Sequence, residues 1–291
     1  MTEEKYMTKG VKILLGDPKK AILKLSAPMM LAMLLQAVYN IADGIWVAGL
    51  GADQLAAVGL FFPFFIIIVA LGAGIGVGGS SAISRAIGAG DKKFADNTAA
   101  HTILLAFAVS LVLSAAVLPF TGQLFHSLSG NGEVGRMAAA YARVLFGGAF
   151  ILVFSHIANA ILRGEGAAKK AMYGLALGSV LNIGLDPLFI YGLNMGVVGA
   201  AWATLISITV SALLFSFWLF IQKKTYLSIT FKRFKLKLYI LREILAVGFP
   251  SSLAQISMSA AMIILNVVVI KAGGTDGVAV FTSGWRIVML G

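Results

Sequence analysis

The sequence has no cysteine and little charge. The absence of Cys among 291 residues excludes a disulfide scaffold and a thiolate metal site. Only 12% of the residues are charged and 59% are apolar, whereas a soluble domain carries about 25% charged and about 45–50% apolar residues. The mean hydropathy is +0.93. A soluble core cannot hide this much apolar surface, so the composition excludes a cytosolic enzyme and a disordered chain.

Apolar runs long enough to cross a bilayer follow one another along the chain. One crossing needs a helix of about 20 apolar residues. We therefore predict an all-α polytopic membrane protein with seven full spans and an eighth that begins near Val278 and stops at Gly291. The predicted spans are residues 25–48, 56–82, 98–120, 138–162, 170–191, 198–221 and 243–270. The first 24 residues are polar and basic, so we expect no cleavable signal peptide.

The positive charge is concentrated on one side of these spans. The chain has 23 Lys and Arg against 12 Asp and Glu, a net charge of +11. Nineteen of the 23 basic residues precede the first span or lie in the connections after the second, fourth and sixth spans. We therefore predict a protein of the plasma membrane whose N-terminus and basic connections lie on the cytoplasmic side, by the positive-inside rule. We expect no nucleic-acid partner, and only a weak attraction of residues 223–242 to anionic membrane lipid.

The chain repeats itself after six spans. A shift of 222 residues aligns residues 20–69 with 242–291, with ten identities that include Pro28 with Pro250 and Gly51 with Gly273. An even number of spans per repeat gives both copies the same orientation, which is the parallel two-lobe plan of several secondary transporters. We predict an N-terminal six-helix lobe over 1–222, a basic inter-lobe loop over 223–242 and an incomplete C-terminal lobe over 243–291.

Two acidic residues, Asp43 and Asp186, lie inside predicted spans. Carboxylates at membrane depth are expensive and usually face a cavity, although a buried structural hydrogen bond is an alternative. Asn182 precedes Asp186 by one helical turn, and Thr204 falls at a similar depth in the sixth span. This set of oxygen donors suits a proton or a hard monovalent cation such as Na⁺, whose binding would relieve the repulsion between the acids.

A polar stripe precedes Asp43 on the first span. Gln36, Tyr39 and Asn40 share one helical face with Asp43, which predicts a cavity lining or ordinary interhelical hydrogen bonds. Asn159 in the fourth span is a further candidate for the cavity. Pro28 lacks an N–H and is a candidate hinge that lets the first span bend.

The glycine-rich stretch 72–79 superficially resembles a dinucleotide-binding loop. It lies inside a span with no preceding strand, so we predict that its small residues serve close helix packing. The scattered His101 and His156 are predicted to be structural, and His126 to lie in an outer loop.

Several ordered segments resemble the MATE (multidrug and toxic compound extrusion) family, in its DinF-like prokaryotic branch. They are residues 39–51, 76–91, 162–166 and 181–204. The resemblance extends over essentially the whole chain, but it reaches only the first seven and a half of the twelve spans that family members have. It implies a cation-coupled exporter of amphiphilic, often cationic compounds that works by alternating access of two lobes.

The same resemblance implies roles for particular residues. The implied cation ligands are Asp43, Asn182, Asp186 and Thr204, and the residues implied around the drug cavity include Gln36, Tyr39 and Asn159. No cofactor is expected besides H⁺ or Na⁺ as coupling ion, and no nucleophile–base pair that would indicate an enzyme is visible. Two alternatives stay open: a lipid-linked sugar flippase of the same superfamily, and a non-transporting truncated fragment.

Overall fold

The computed structural model describes residues 7–129, 132–222, 225–231 and 234–288, and within these ranges every regular element is helical. The α-helices in order are α1 Lys9–Leu14, α2 Pro18–Ala48, α3 Ala52–Gly88, α4 Lys92–Val117, α5 Thr121–Ser129, α6 Gly132–Gly147, α7 Ala149–Gly164, α8 Ala168–Pro187, α9 Gly196–Ser216 and α10 Leu238–Val288. Wider helical turns, Leu188–Gly192 and Phe217–Ile221, continue α8 and α9. The prediction of an all-α polytopic membrane protein is confirmed.

The fourth predicted span is not one straight helix. Six helices of the described chain are long and apolar enough to cross a membrane, and α6 with α7 forms a seventh only as a pair bent by 53°. The break falls at Gly147 and Gly148. Two adjacent glycines weaken a helix and permit a sharp bend. The prediction of one continuous helix over 138–162 was therefore wrong.

The connection expected between the seventh and eighth spans is a sharp break at Gly274, where the apolar span that begins at Leu238 ends. Helix α10 runs from Leu238 to Val288, and inside it Gly274 has a non-helical conformation with a φ of 60°. Glycine adopts positive φ without a steric penalty. The two predicted segments therefore meet at a kink rather than at a loop.

Helix α3 packs on two neighbours through opposite sets of glycines. Gly72 and Gly76 face α7, where a Cβ at Gly76 would lie 2.8 Å from the Ala160 Cβ. Gly74 and Gly78 face α10, where a Cβ at Gly78 would overlap the carbonyl oxygen of Ile244. The prediction that this stretch serves helix packing is confirmed.

Helix α2 is the least covered of the long helices and packs mainly on α8. Its C-terminal end is fastened where the Tyr191 hydroxyl donates to the Trp46 carbonyl at 2.6 Å. The two rings meet edge to face at 6.3 Å. Gly49 leaves the room for this hydroxyl, since a Cβ there would overlap it.

Described residues between α9 and α10 are held by Glu165, which follows α7, and by side chains of α4. The Glu165 carboxylate accepts from the N–H groups of Tyr226 at 3.0 Å and Leu227 at 3.3 Å. On α4, the Asp96 carboxylate accepts from the Ser228 N–H at 2.8 Å. These contacts pin the beginning of the described linker.

His101 holds the other end of the linker. Its Nε2 accepts from the Lys237 N–H at 2.9 Å, while Nδ1 lies 2.7 Å from the Asn97 carbonyl oxygen, which assigns the ring proton to Nδ1. His101 is fully buried. The structure therefore gives it the structural role that the sequence predicted, whereas the predicted outer-loop residue His126 lies in the short helix α5.

Burial dominates the ionisation of Glu165. Desolvation raises the pKa of Glu165 from 4.5 to about 7, although the N–H donors of Leu227 and Tyr226 and the charges of Lys170 and Lys92 act in the opposite direction. The folded protein thus binds the Glu165 proton more tightly than the unfolded chain. Its contribution to stability is complete below about pH 4.5 and is lost as the pH rises through about 7.

We expect Glu165→Gln to flatten the pH dependence of stability. Glutamine keeps an acceptor for the linker but cannot ionise, so the variant avoids a loss of up to about 3 kcal/mol between about pH 5 and pH 8. Thermal unfolding in detergent at the two pH values measures the difference. Glu133→Gln, an exposed acid on α6, is the matched control, and parallel curves for wild type and Glu165→Gln would contradict the assignment.

Candidate functional site

A cavity of about 190 Å³ lies between α2, α3, α6 and α9. Helix α2 contributes Tyr39, Asn40 and Asp43, which are three of the four residues of the predicted polar stripe. The remaining lining residues are Ala37, Ile41, Val58, Phe61, Phe62, Phe65, Tyr141 and Thr204. One carboxylate therefore faces a wall that is otherwise apolar, aromatic or neutral and polar.

The aromatic wall comes from α3 and α6. Phe61 and Tyr141 meet edge to face with their ring centroids 5.1 Å apart. Phe61 also contacts Phe125 and Phe146 behind the wall, at centroid distances of 6.2 and 5.8 Å. Offset and edge-to-face contacts of this kind stabilise aromatic clusters, so the wall has a packed backing.

Asn182, Asp186 and Thr204 form a second polar group between α8 and α9. The Asn182 Nδ2 lies 3.4 Å from Asp186 Oδ1 and 3.3 Å from Thr204 Oγ1. The opposite amide orientation places Nδ2 3.0 Å from Asp186 Oδ2 and lets the amide oxygen accept from the Thr204 N–H at 3.3 Å. We assign that orientation because it satisfies both ends of the amide.

Close helix packing sets the register that brings these three residues together. The Ser211 hydroxyl donates to the Gly174 carbonyl at 2.8 Å, two turns from the Asn182–Thr204 contact. A Cβ at Gly174 would overlap Phe215, and one at Gly178 would overlap Ser211. Glycines on α8 thus allow α9 to approach closely enough for the Asn182 amide to contact Thr204.

Thr204 connects the two polar groups. It lines the cavity that contains Asp43, and it contacts Asn182, which in turn contacts the fully buried Asp186. Buried polar groups of this kind are stable only when they have hydrogen-bond partners. The arrangement supplies carboxylate, amide and hydroxyl oxygens within two adjoining groups.

Two predicted cavity residues lie elsewhere. Asn159 is buried and its Nδ2 donates to the Ala171 carbonyl at 3.0 Å, so it joins α7 to α8. Gln36 is partly buried, and neither residue belongs to the described lining of the cavity. Asn159 occupies the face of α7 that packs on α8, which a polar residue type alone could not reveal.

Sequence reasoning missed the aromatic wall. Phe61, Phe62 and Phe65 belong to a run of phenylalanines around Pro63 that looks like any other apolar membrane segment. Its unusual density of aromatic side chains was the available signal, but hydropathy does not separate a cavity wall from a lipid-facing surface.

Comparisons with a family model, with curated proteins and with solved structures all indicate the same family. The MatE family model matches residues 28–188. The multidrug export protein MepA of Staphylococcus aureus (strain NCTC 8325 / PS 47) is 32% identical over 248 residues, covering 85% of this chain and 55% of MepA. This chain spans about half the length of the curated relatives that it matches.

Solved structures agree with the fold. An outward-facing structure of a multidrug resistance MATE family transporter of the MOP superfamily is 57% identical with a TM-score of 0.90, covering 98% of this chain and 63% of that one. An inward-facing structure described in the same terms is 53% identical with a TM-score of 0.84, covering 91% and 61% respectively.

We expect Asn182→Ala to destabilise the α8–α9 pair. The change leaves the buried Asp186 carboxylate without its amide donor, and losing such a partner costs about 1–3 kcal/mol. Thermal unfolding in detergent measures the loss. Asn97→Ala, which removes an exposed amide bound to the Lys93 carbonyl, should change stability by less than about 0.5 kcal/mol. Equal effects of the two substitutions would contradict the expectation that the buried Asn182 hydrogen bonds stabilise the protein more than the Asn97 hydrogen bond.

Proposed function

Since this chain belongs to the MatE family, we propose that it forms the first lobe and the beginning of the second lobe of a cation-coupled exporter of amphiphilic organic cations. The observation that carries the proposal is the cavity in which Asp43 faces aromatic rings, with Thr204 linking it to Asn182 and Asp186. MepA is a multidrug export protein by description, and the two solved structures described above are of multidrug resistance MATE family transporters.

The cavity chemistry suits a lipophilic cation. The Asp43 carboxylate offers one negative charge, and the Phe61, Phe62 and Phe65 side chains line the same space. A cation gains electrostatic attraction over an aromatic face, most strongly where water is excluded. Flat apolar compounds with one positive charge match both features. Charge attraction and contacts with aromatic side chains depend little on direction, so many such compounds can bind.

The coupling ion would act on the same oxygen set. A proton or Na⁺ bound by Asp43, Asn182, Asp186 and Thr204 lowers the negative charge available to a cationic substrate. Ion and substrate then disfavour each other's binding, and that reciprocal penalty is the thermodynamic requirement of antiport. The ion enters from outside as the substrate leaves.

Alternating access requires the cavity to open to each side in turn. Helix α2 carries Asp43, has Pro28 in its interior and is largely uncovered along its length. Because proline removes one helical hydrogen bond, α2 can bend at Pro28 and change how Asp43 is exposed. In this proposal the N-terminus and the basic residues face the cytoplasm, with the chain in the plasma membrane.

We expect Asp43→Asn and Asp186→Asn each to lower ion-driven ethidium efflux at least tenfold. Both changes keep the size of the side chain but remove the negative charge on which the proposed exchange of coupling ion and cationic substrate depends. Efflux from cells or vesicles containing the protein, under an imposed ion gradient, measures the effect. Asp53→Asn, at the start of α3 and outside the cavity, is the control. Unaltered coupled efflux in both the Asp43→Asn and the Asp186→Asn variants would refute the site assignment.

A second measurement separates the two candidate ions. At fixed pH, addition or removal of an inward Na⁺ gradient should change efflux if Na⁺ is the coupling ion. If the proton is the coupling ion, an imposed pH gradient drives efflux without Na⁺. An oxygen-lined site accommodates either ion. Efflux that responds to neither gradient would contradict cation coupling.

A further inference from the structure

Three side chains of α10 donate hydrogen bonds to backbone carbonyls of α3. Ser252 donates to Ala70 at 3.1 Å, Ser259 donates to Pro63 at 2.6 Å and Asn266 donates to Gly59 at 3.1 Å. The donors are spaced seven residues apart, or about two helical turns. We call these contacts the α3–α10 seam.

The Asn266 contact differs from the other two because of Pro63. In a helix, the carbonyl of residue i−4 accepts from the N–H of residue i, and proline has no N–H. The Gly59 carbonyl therefore lacks the helical donor that residue 63 would normally supply, and the Asn266 amide of α10 donates to it instead. The carbonyls of Ala70 and Pro63 are followed four residues later by Gly74 and Ile67, which do have N–H groups.

The local packing allows this exchange. Gly59 is buried, and a Cβ there would overlap the Thr282 hydroxyl. Asn266 is only 4% exposed. Its amide thus reaches the α3 backbone in surroundings without ready access to water, where an unsatisfied carbonyl is costly.

Phe62 connects this contact to the large cavity. A second cavity, of about 10 Å³, is lined by Gly59, Phe62, Met262, Asn266, Phe281, Thr282 and Trp285. Phe62 also lines the cavity that contains Asp43. The Phe62 side chain is therefore a wall between the seam and the proposed substrate site.

We propose that Asn266 is a positioning residue for transport: by completing the hydrogen bonding of α3 at Pro63, it couples the position of α10 to the aromatic wall of the substrate cavity. When α10 withdraws, the Gly59 carbonyl loses its only side-chain donor in the seam and α3 must rearrange locally around Pro63. The rearrangement moves Phe62. This inference rests on the proposed export function, because alternating access of two lobes moves α10, the beginning of the proposed second lobe, relative to α3 in the first.

A double-substitution cycle tests the route through Pro63. Asn266→Ala should weaken ethidium binding to the purified protein about three- to tenfold, or about 0.7–1.4 kcal/mol at 1.4 kcal/mol per tenfold change. Pro63→Ala restores the missing N–H, so adding Asn266→Ala in that background should have almost no further effect. Ser252→Ala is the matched control, because its acceptor, the Ala70 carbonyl, lies away from Pro63 and is followed four residues later by Gly74, which has an N–H. Its effect on ethidium binding should be the same in both backgrounds.

The geometry of α3 is measured separately from drug binding. The protein has no native Cys, so paired cysteines can be introduced at Ala52 and Val77, exposed positions on either side of Pro63, and spin-labelled. Without drug, Asn266→Ala should shift or broaden the distance distribution between the labels. The same substitution should leave the distribution unchanged in the Pro63→Ala background.

These readouts separate two failures. Additive effects of Asn266→Ala and Pro63→Ala on ethidium binding, or a label distance that ignores Asn266→Ala, would overturn the coupling even if the protein binds and exports ethidium. A label distance that follows the predicted pattern in a protein that neither binds nor exports ethidium would uphold the coupling of α10 to α3. That outcome would reject the export function instead.

Discussion

Every backbone carbonyl at membrane depth needs a donor from the protein itself, and this requirement organises much of the structure. Hydrocarbon offers no hydrogen bonds, so an interrupted helix must be repaired by its neighbours. Pro63 interrupts the hydrogen bonding of α3, and Asn266 of α10 donates to the Gly59 carbonyl that is left without its usual donor. Near the end of α8, Pro187 is followed by a wide turn whose Tyr191 hydroxyl satisfies the Trp46 carbonyl of α2. At both places a local defect becomes a contact between helices.

Polar side chains in the interior obey the same rule. Asp186 is fully buried and reaches Asn182, which reaches Thr204. These contacts depend on the glycines of α8, because bulkier residues would hold α9 too far away. The polar group is therefore a property of the packing of two helices rather than of any one residue. Asp43 differs in lying on the wall of a cavity, where a charged ligand can reach it.

The sequence predicts this architecture well where apolar residues form long runs or where a residue type is energetically unfavourable inside a membrane. Hydropathy places six of the seven full spans on long helices, and the expense of membrane carboxylates singles out Asp43 and Asp186. It cannot show that α6 and α7 bend at Gly147, since glycine is common in straight membrane helices too. Nor can it separate Asn182, which joins the polar group, from Asn159, which ties α7 to α8. That distinction depends on which helix lies opposite, a long-range property of the fold.

The pinned linker gives α10 a fixed end. Glu165 contacts Tyr226 and Leu227, and two side chains of α4, Asp96 and His101, contact Ser228 and Lys237. These contacts restrain the N-terminal end of α10. Asn266 lies 29 residues beyond Lys237, or about 43 Å along the helix at 1.5 Å per residue. A tilt of about 5° around the pinned end then displaces Asn266 by roughly 4 Å, more than a hydrogen bond can stretch. Helix α10 is thus a lever, and its long arm ends at the carbonyl that α3 cannot satisfy alone.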